Sequence, residues 1–229
     1  MKVAVMQPYL FPYIGYFQLI NSVDKFVIYD DVNYIKNGYV NRNNIIGPQG
    51  IQRITWAVEG ASSFKKINEL TYSDNTKKLL KTIKQNYAKA PYFSAVYPLL
   101  ETVFLASERN VARTNCASIR TIFTYLELNK DICFSSELDF DRSLKPADKL
   151  VEMCQNFEAG TYINSPGGKA LYSKKYFSEH GIELKFIVPA VAKYKQMGAD
   201  FLPNLSIIDI MMYCDKDEII EMLNGYELE

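Results

Sequence analysis

Short apolar runs alternate with amphipathic stretches along this chain, and the spacing of hydrophobic positions switches repeatedly between a strand period and a helix period. Lys2 to Met6 reads as a strand, Gly15 to Asn21 as a small helix, and Lys25 to Tyr29 as a second strand ending in Asp30-Asp31. Two β-branched runs, Val40 to Ile46 and Gln52 to Val58, flank Gly47-Pro48-Gln49-Gly50, whose turn chemistry predicts a β-hairpin. From Asp74 the period changes. Leu79, Leu80, Ile83 and Tyr87 form one stripe while Lys77, Lys81 and Lys84 take the other face, which predicts a helix stopping near Pro91. Helices over Tyr92 to Ala106 and Arg109 to Leu128 follow, the second marked by Ala112, Cys116, Ile119, Ile122, Phe123 and Leu126.

Beyond a short strand at Ile132 to Ser135, Pro146 suits the first turn of a helix carrying Leu150, Val151, Cys154 and Phe157 on one face. Thr161 to Asn164 then reads as a strand, Gly168 to His180 as a helix closed by Gly181, and Ile182 to Val188 as a strand. That βαβ rhythm implies parallel pairing. The tail from Ser206 to Gly225 gives one or two short helices starting from a Ser206 cap. The whole pattern predicts an α/β fold: a Rossmann-like parallel or mixed sheet flanked by helices, with a β-hairpin after the first βαβ unit and a helical middle segment. We expect one domain over residues 1–229, with 74–130 as a helical insertion or subdomain.

Composition narrows the function classes. With 26 basic and 26 acidic residues, no net field draws the chain to nucleic acid or to an acidic membrane, so any basic site must be local. The 4 cysteines, Cys116, Cys133, Cys154 and Cys214, are widely spaced among apolar neighbours, and the single histidine cannot complete a zinc set. They read as reduced core thiols, which favours the cytoplasm. The amino terminus lacks a signal-peptide pattern, and the apolar stretch Pro91 to Ala106 is shorter than a bilayer span and contains Pro98 and Glu101, so no membrane span is expected.

In an open parallel sheet, ligands bind beyond the carboxyl ends of the strands, where loops and helix amino termini converge. Two places meet that description. The first is the Gln7 to Gly15 loop together with Asp30 and Asp31, with Tyr9, Phe11, Tyr13 and Tyr16 concentrated beside the crevice. Asp30 and Asp31 suit a divalent cation, sugar hydroxyls or general-base chemistry, although adjacent strand residues point to opposite faces unless the strand has ended. The polar string that follows, with Lys36, Asn41 and Arg42, offers amides and a forked guanidinium to hydroxyl-rich or phosphorylated ligands. Asn41, Asn43 and Ile45 share one strand face, so only part of that string can meet one ligand. The second place is the Asn164 to Lys169 turn, where Gly167 and Gly168 permit close backbone approach and Lys169 adds charge for a phosphate or carboxylate. His180, before Gly181, suits a helix carboxyl terminus rather than a nucleophile system.

QPYLFPYIGYFQLINSVDKFVIYDDVNYIKNGYVNRNNI (Gln7 to Ile45) strongly resembles the opening block of the WbqC-like family, and FLPNLSIIDIMM (Phe201 to Met212) resembles its closing block. The resemblance covers essentially the whole chain, more loosely at YINSPGGKALY, and carries over Gln7, Pro8, Pro12, Gly15, Tyr16, Asp30, Asp31, Lys36, Asn41, Arg42 and Ser206 to Asp209 as signature positions. That family is associated with bacterial gene clusters for O-antigen and other surface polysaccharides, which implies a cytoplasmic role in making or tailoring nucleotide-linked sugars. The expectation is a transferase placing an acyl, aminoacyl or related group on a nucleotide-linked amino sugar, with Asp30 or Asp31 as base or metal-linked carboxylate. Gln7, Tyr13 and Tyr16 would line the crevice, and Lys36, Arg42 and the Gly167-Gly168 turn would hold phosphate. A divalent cation or a nucleotide is the cofactor such a site admits. The rival expectation is a non-catalytic binding or scaffold protein, as a homodimer or with pathway enzymes. A further alternative is a nucleotidylyltransferase-like, ATP-dependent ligase: Tyr13-Ile14-Gly15-Tyr16 occupies the place of a His-x-Gly-His turn, but neither histidine is present.

Overall fold

Strands and helices alternate through both ends of the chain in the computed structural model, which describes residues 1–198 and 200–229. In chain order they begin with β1 (Lys2–Met6), α1 (Ile14–Asn21), β2 (Lys25–Ile28), β3 (Arg42–Gly47), β4 (Gly50–Thr55), β5 (Val58–Glu59) and β6 (Thr71–Tyr72). Three helices follow, α2 (Thr76–Tyr87), α3 (Phe93–Phe104) and α4 (Val111–Tyr125), and then β7 (Asp131–Phe134) and α5 (Pro146–Asn156). The chain closes with β8 (Thr161–Asn164), α6 (Lys174–Glu179), β9 (Glu183–Pro189), α7 (Ile207–Tyr213), α8 (Lys216–Leu223) and β10 (Tyr226–Leu228).

The central sheet is six-stranded and mixed, in the order β10-β9-β8-β1-β2-β7, with every pair parallel except β10 on β9. Its middle strands are covered on both faces, which is why β1 reads as a nearly continuous apolar run rather than an alternation. Val3, Val5 and Val27 pack with Leu150, Met153 and Phe177 of α5 and α6. Ala4, Phe26 and Ile28 pack on the opposite face, in one contiguous buried cluster that reaches α1, α2, α3, α4, α7 and α8. The predicted β-hairpin forms as β3 and β4, with Gly47 opposite Gly50 and Gly50 at φ 100°, a left-handed conformation that glycine adopts without strain.

One sequence expectation is corrected by the structure. The helix expected from Gly168 to His180 is broken: Pro166–Ala170 forms a 3-10 turn, and a separate α6 begins after Ser173, whose side chain accepts from Tyr176 N. His180 does sit at the carboxyl cap of α6, with Nδ1 2.9 Å from Tyr176 O. The paired short strands β5 and β6 and the antiparallel edge strand β10 were not predicted.

Strand order fixes where a site can form. From β1 the chain moves to β2 and β7 on one side, whereas β8 pairs with the other side of β1 and leads outward to β9. The direction of winding therefore reverses between β1 and β8, and the crevice beyond their carboxyl ends is the place where such sheets take ligands. Both turns singled out from the sequence, Gln7 to Gly15 and Asn164 to Lys169, leave the sheet at that one switch point.

Candidate functional site

The loop from Gln7 to Tyr13 crosses the carboxyl end of β1, and neighbouring elements hold its backbone at nearly every residue. Tyr16 of α1 donates its hydroxyl to Gln7 O at 2.8 Å, and Asn115 of α4 donates to Pro8 O at 3.1 Å. Asn43 of β3 donates to Leu10 O at 3.2 Å and Phe11 O at 2.7 Å, and Ser206 Oγ donates to Phe11 O at 2.7 Å. Pro12 O accepts from Ile207 N at 2.9 Å, and Leu10 N donates to Tyr39 O at 3.2 Å. Phe11 sits at φ 41°, a left-handed conformation that costs a bulky residue about 1–3 kcal/mol and persists only where its surroundings over-determine it.

That rigid loop forms one wall of a cleft of about 250 Å³ lined by Tyr9, Pro12, Tyr13, Tyr39, Asn43 and Asn204. Ring centroids of Tyr9 and Tyr39 are 6.2 Å apart, and those of Tyr9 and Tyr16 are 5.5 Å apart. Gly15 makes the Tyr13 position possible: a Cβ there would lie 2.4 Å from Tyr13 Cε2, so only glycine lets the ring fold against the start of α1. Whereas the Tyr16 hydroxyl is spent inside the fold, those of Tyr9, Tyr13 and Tyr39 have no hydrogen-bond partner among the described residues. Burial pushes the Tyr9 and Tyr13 phenols above their ordinary value, so both remain protonated donors at neutral pH. The cleft thus offers ring faces, phenolic donors and the Asn204 amide, a chemistry suited to a small ring bearing hydroxyls.

Asp30 and Asp31 lie at the end of β2, where the strand has finished, and both point toward the loop after β7. Asp30 Oδ1 accepts from Ser135 Oγ and Ser136 N, both at 3.0 Å. Its Oδ2 accepts from Ser136 Oγ at 2.7 Å and Asn68 Nδ2 at 3.3 Å. Ser135 Oγ also faces Asp31 Oδ1, so its single proton is shared between two carboxylates, and Arg142 Nε donates to Asp31 Oδ2 at 2.8 Å. Arg142 is itself tied to the carbonyls of Phe140, Ser135 and Leu138 and lies 4.4 Å from the Phe140 ring centre. The pair forms a clasp joining the ends of β2 and β7. Burial, and then the charge of Asp31, push the nearby Tyr29 phenol up to about 12. Each oxygen of the pair already accepts a donor, and among the described residues no group of three His, Cys, Asp or Glu converges.

The other sequence-predicted positions divide between loop support and open surface. Gln7 is half-buried at the end of β1. Asn41 accepts from Tyr34 Oη and donates to Trp56 O, both at 2.8 Å, and so braces the fold. Arg42 folds back on its own loop, donating to Gly38 O at 2.9 Å and Asn37 Oδ1 at 3.2 Å, while Lys36 is exposed. At the second turn, Gly168 is packed so closely on Asn164 and Phe186 that a Cβ would lie 2.4 Å from Asn164 Nδ2, whereas Gly167 is exposed with space around it. Lys169 pairs with Glu229. Of the predicted site residues, then, Tyr13 alone lines the aromatic cleft. Tyr9, Tyr39, Asn43 and Asn204 complete it; Tyr9 and Asn43 stood in segments marked by composition, but nothing in the sequence brings Asn204 to them.

No helix among the described residues is long and apolar enough to cross a membrane. No solved structure matches the chain significantly. The uncharacterized protein Rv1507c of Mycobacterium tuberculosis is 30% identical over 215 residues, covering 92% of each chain. A match to the WbqC-like protein family extends over residues 7–221, including both terminal blocks and everything between them. The chain belongs to the WbqC-like protein family.

Proposed function

We propose that the chain is a cytoplasmic transferase of bacterial surface polysaccharide biosynthesis that places an acyl, aminoacyl or related group on a nucleotide-linked amino sugar. The observation that supports this reading is the tyrosine-walled cleft beside the switch point of the sheet, bounded by a loop held in a strained backbone conformation. Tyr9, Tyr13 and Tyr39 take the sugar ring on their faces, and their hydroxyls, with the Asn204 amide, meet its hydroxyl groups. The open backbone at Gly167, beyond the adjacent β8, receives the diphosphate. Asp30 and Asp31 act in this reading by fixing the loop after β7.

Thermal shift against a panel of nucleotide sugars tests the reading, because a ligand that binds only the native state at a hundredfold excess over its Kd adds about 2.7 kcal/mol of stability. A hit that Tyr13→Ala abolishes, with the variant itself folded, is the expected result. Equal stabilisation of wild type and variant, or none by any nucleotide sugar, would remove the cleft from consideration.

A further inference from the structure

Outside the cleft, the most unusual surface is formed by two loops at its rim, residues 33–39 and 60–66. They leave the clasp side by side: Asn68 N donates to Asp30 O and Ile67 N to Val32 O, both at 3.0 Å, and Tyr34 N donates to Lys65 O at 2.9 Å. An antiparallel bridge joins Asn33 and Lys66. Running outward from it, the two segments carry Ile35 and Phe64 to the same end. Phe64 is 93% exposed and Ile35 53%, and Tyr39, which lines the cleft, is 48% exposed.

Single exposed apolar side chains are ordinary, but these are presented by ordered turns that also carry three lysines. Gly38 N closes a turn on Ile35 O at 3.2 Å, and the Arg42 guanidinium holds Gly38 O and Asn37. Lys65 N closes a second turn on Ser62 O at 3.2 Å, and Phe64 N donates to Ser62 Oγ at 3.3 Å. Lys36, Lys65 and Lys66 lie in these two loops, which contain no acidic residue. Among the described residues none of the three lysines forms a salt bridge, and the side chain of Glu69 is turned to the Lys66 backbone N–H at 2.8 Å.

We propose that this rim docks on an anionic lipid surface, with Phe64 and Ile35 entering the headgroup layer and Lys36, Lys65 and Lys66 facing lipid phosphates. The patch has too few apolar side chains for a stable protein interface, which needs about 800 Å² on each partner. A bilayer accepts isolated apolar tips without matching their shape, and it supplies the negative charge the lysines lack. The neutral net charge of the chain directs this attraction to the two loops rather than to the whole surface. Tyr39, which belongs to the first of these loops, also lines the tyrosine cleft, so docking places the rim of the cleft near the membrane whatever the cleft binds.

Co-sedimentation of the full chain with phosphatidylglycerol–phosphatidylcholine vesicles, against phosphatidylcholine vesicles alone, tests the proposal. Binding should require the anionic lipid and weaken with added salt. Each lysine near such a surface contributes about a fivefold factor in partitioning, so the double variant Lys65→Gln/Lys66→Gln should bind about 25-fold more weakly. Phe64→Ser should lose about tenfold while keeping its circular dichroism and Tm, since the side chain is 93% exposed. Equal binding to both vesicle types, or binding unchanged in both variants, would overturn the proposal. So would a wild-type dimer that Phe64→Ser converts to monomer in sedimentation velocity, which would assign the patch to a second copy of the chain.

Discussion

Asp209 is fully buried in the first turn of α7 and forms no salt bridge among the described residues, and replacing it by asparagine isolates what a buried carboxylate does here. Its Oδ1 accepts from Tyr87 Oη at 2.7 Å, and its Oδ2 accepts from Tyr194 Oη at 2.7 Å and Gln196 Nε2 at 2.9 Å. Asparagine keeps one acceptor oxygen and substitutes a donor for the other. Placed toward Gln196, the new NH₂ meets a donor head-on. Placed toward Tyr87, it meets a hydroxyl that already accepts from Ile46 N at 3.1 Å, and the tyrosine's own proton is left without an acceptor. One buried donor is unmatched in either orientation, at a cost of about 1–3 kcal/mol, or a fall of roughly 2–12 °C in Tm for a chain of this size.

The pH dependence has a definite sign. Burial raises the Asp209 carboxyl above its ordinary value of 3.8, against the lowering effect of its three donors, so the folded chain holds this proton at pH values where the unfolded chain releases it. Asp209 therefore contributes most stability below 3.8 and loses it as the pH rises through the folded-state value. Asparagine does not titrate, so the advantage of wild type over Asp209→Asn should widen on acidification from neutrality into that window. Urea unfolding followed by the fluorescence of buried Trp56, the single tryptophan, measures the gap at each pH. Equal stability at neutral pH, or a gap that narrows in acid, would refute this account of the network.

Two further substitutions probe other buried polar groups. Gln18 Nε2 lies 2.8–3.0 Å from the carbonyls of Ala190, Met222 and Gly225, so Gln18→Glu would set a carboxylate against three oxygens. A loss of about 3–5 kcal/mol at neutral pH, partly recovered at pH values low enough to protonate the new carboxyl, should appear in urea midpoints. Asp30→Asn should cost about 1–3 kcal/mol by thermal melting while leaving any nucleotide-sugar shift of the Tyr13 cleft intact, since Asp30 is a clasp residue. A stable Asp30→Asn protein that binds ligand but forms no product would instead place Asp30 in the chemistry.

Much of the fold was legible because it rests on local spacing. The apolar runs at Lys2 to Met6 and Thr161 to Asn164 became β1 and β8 at those residues, and the stripe through Ile119 and Phe123 became the buried face of α4. The broken helix after Gly168 was misread because helical spacing of apolar residues continues across the gap. Pro166 and two glycines favour a tight turn, and Ser173 restarts the helix with its own cap. Strand β10 is three residues long and is created by pairing with β9, so it carries no period of its own. The site was legible as a region but not as a mechanism. Aspartates at a strand end say nothing of their partners, and the partners found here, Ser135, Ser136 and Arg142, lie more than a hundred residues away.

The same long-range logic explains why the opening and closing blocks belong together. Phe11 can hold its left-handed backbone only if something outside the loop holds its carbonyl, and the two donors on that oxygen come from Asn43 and Ser206. Ser206 is also the amino cap of α7, its N–H donates to Asn44 O at 2.8 Å, and it bridges to Tyr13. Asn204, two residues earlier, supplies a wall of the cleft, and Asp209, three residues later, anchors Tyr194 and Gln196. Gln196 in turn exchanges two hydrogen bonds with the Leu202 backbone. Residues from the closing block thus fix the strained loop and the opposite wall of the cleft with one short helix. The backbone that presents Tyr13 is therefore held by Ser206 as well as by the block in which that tyrosine lies.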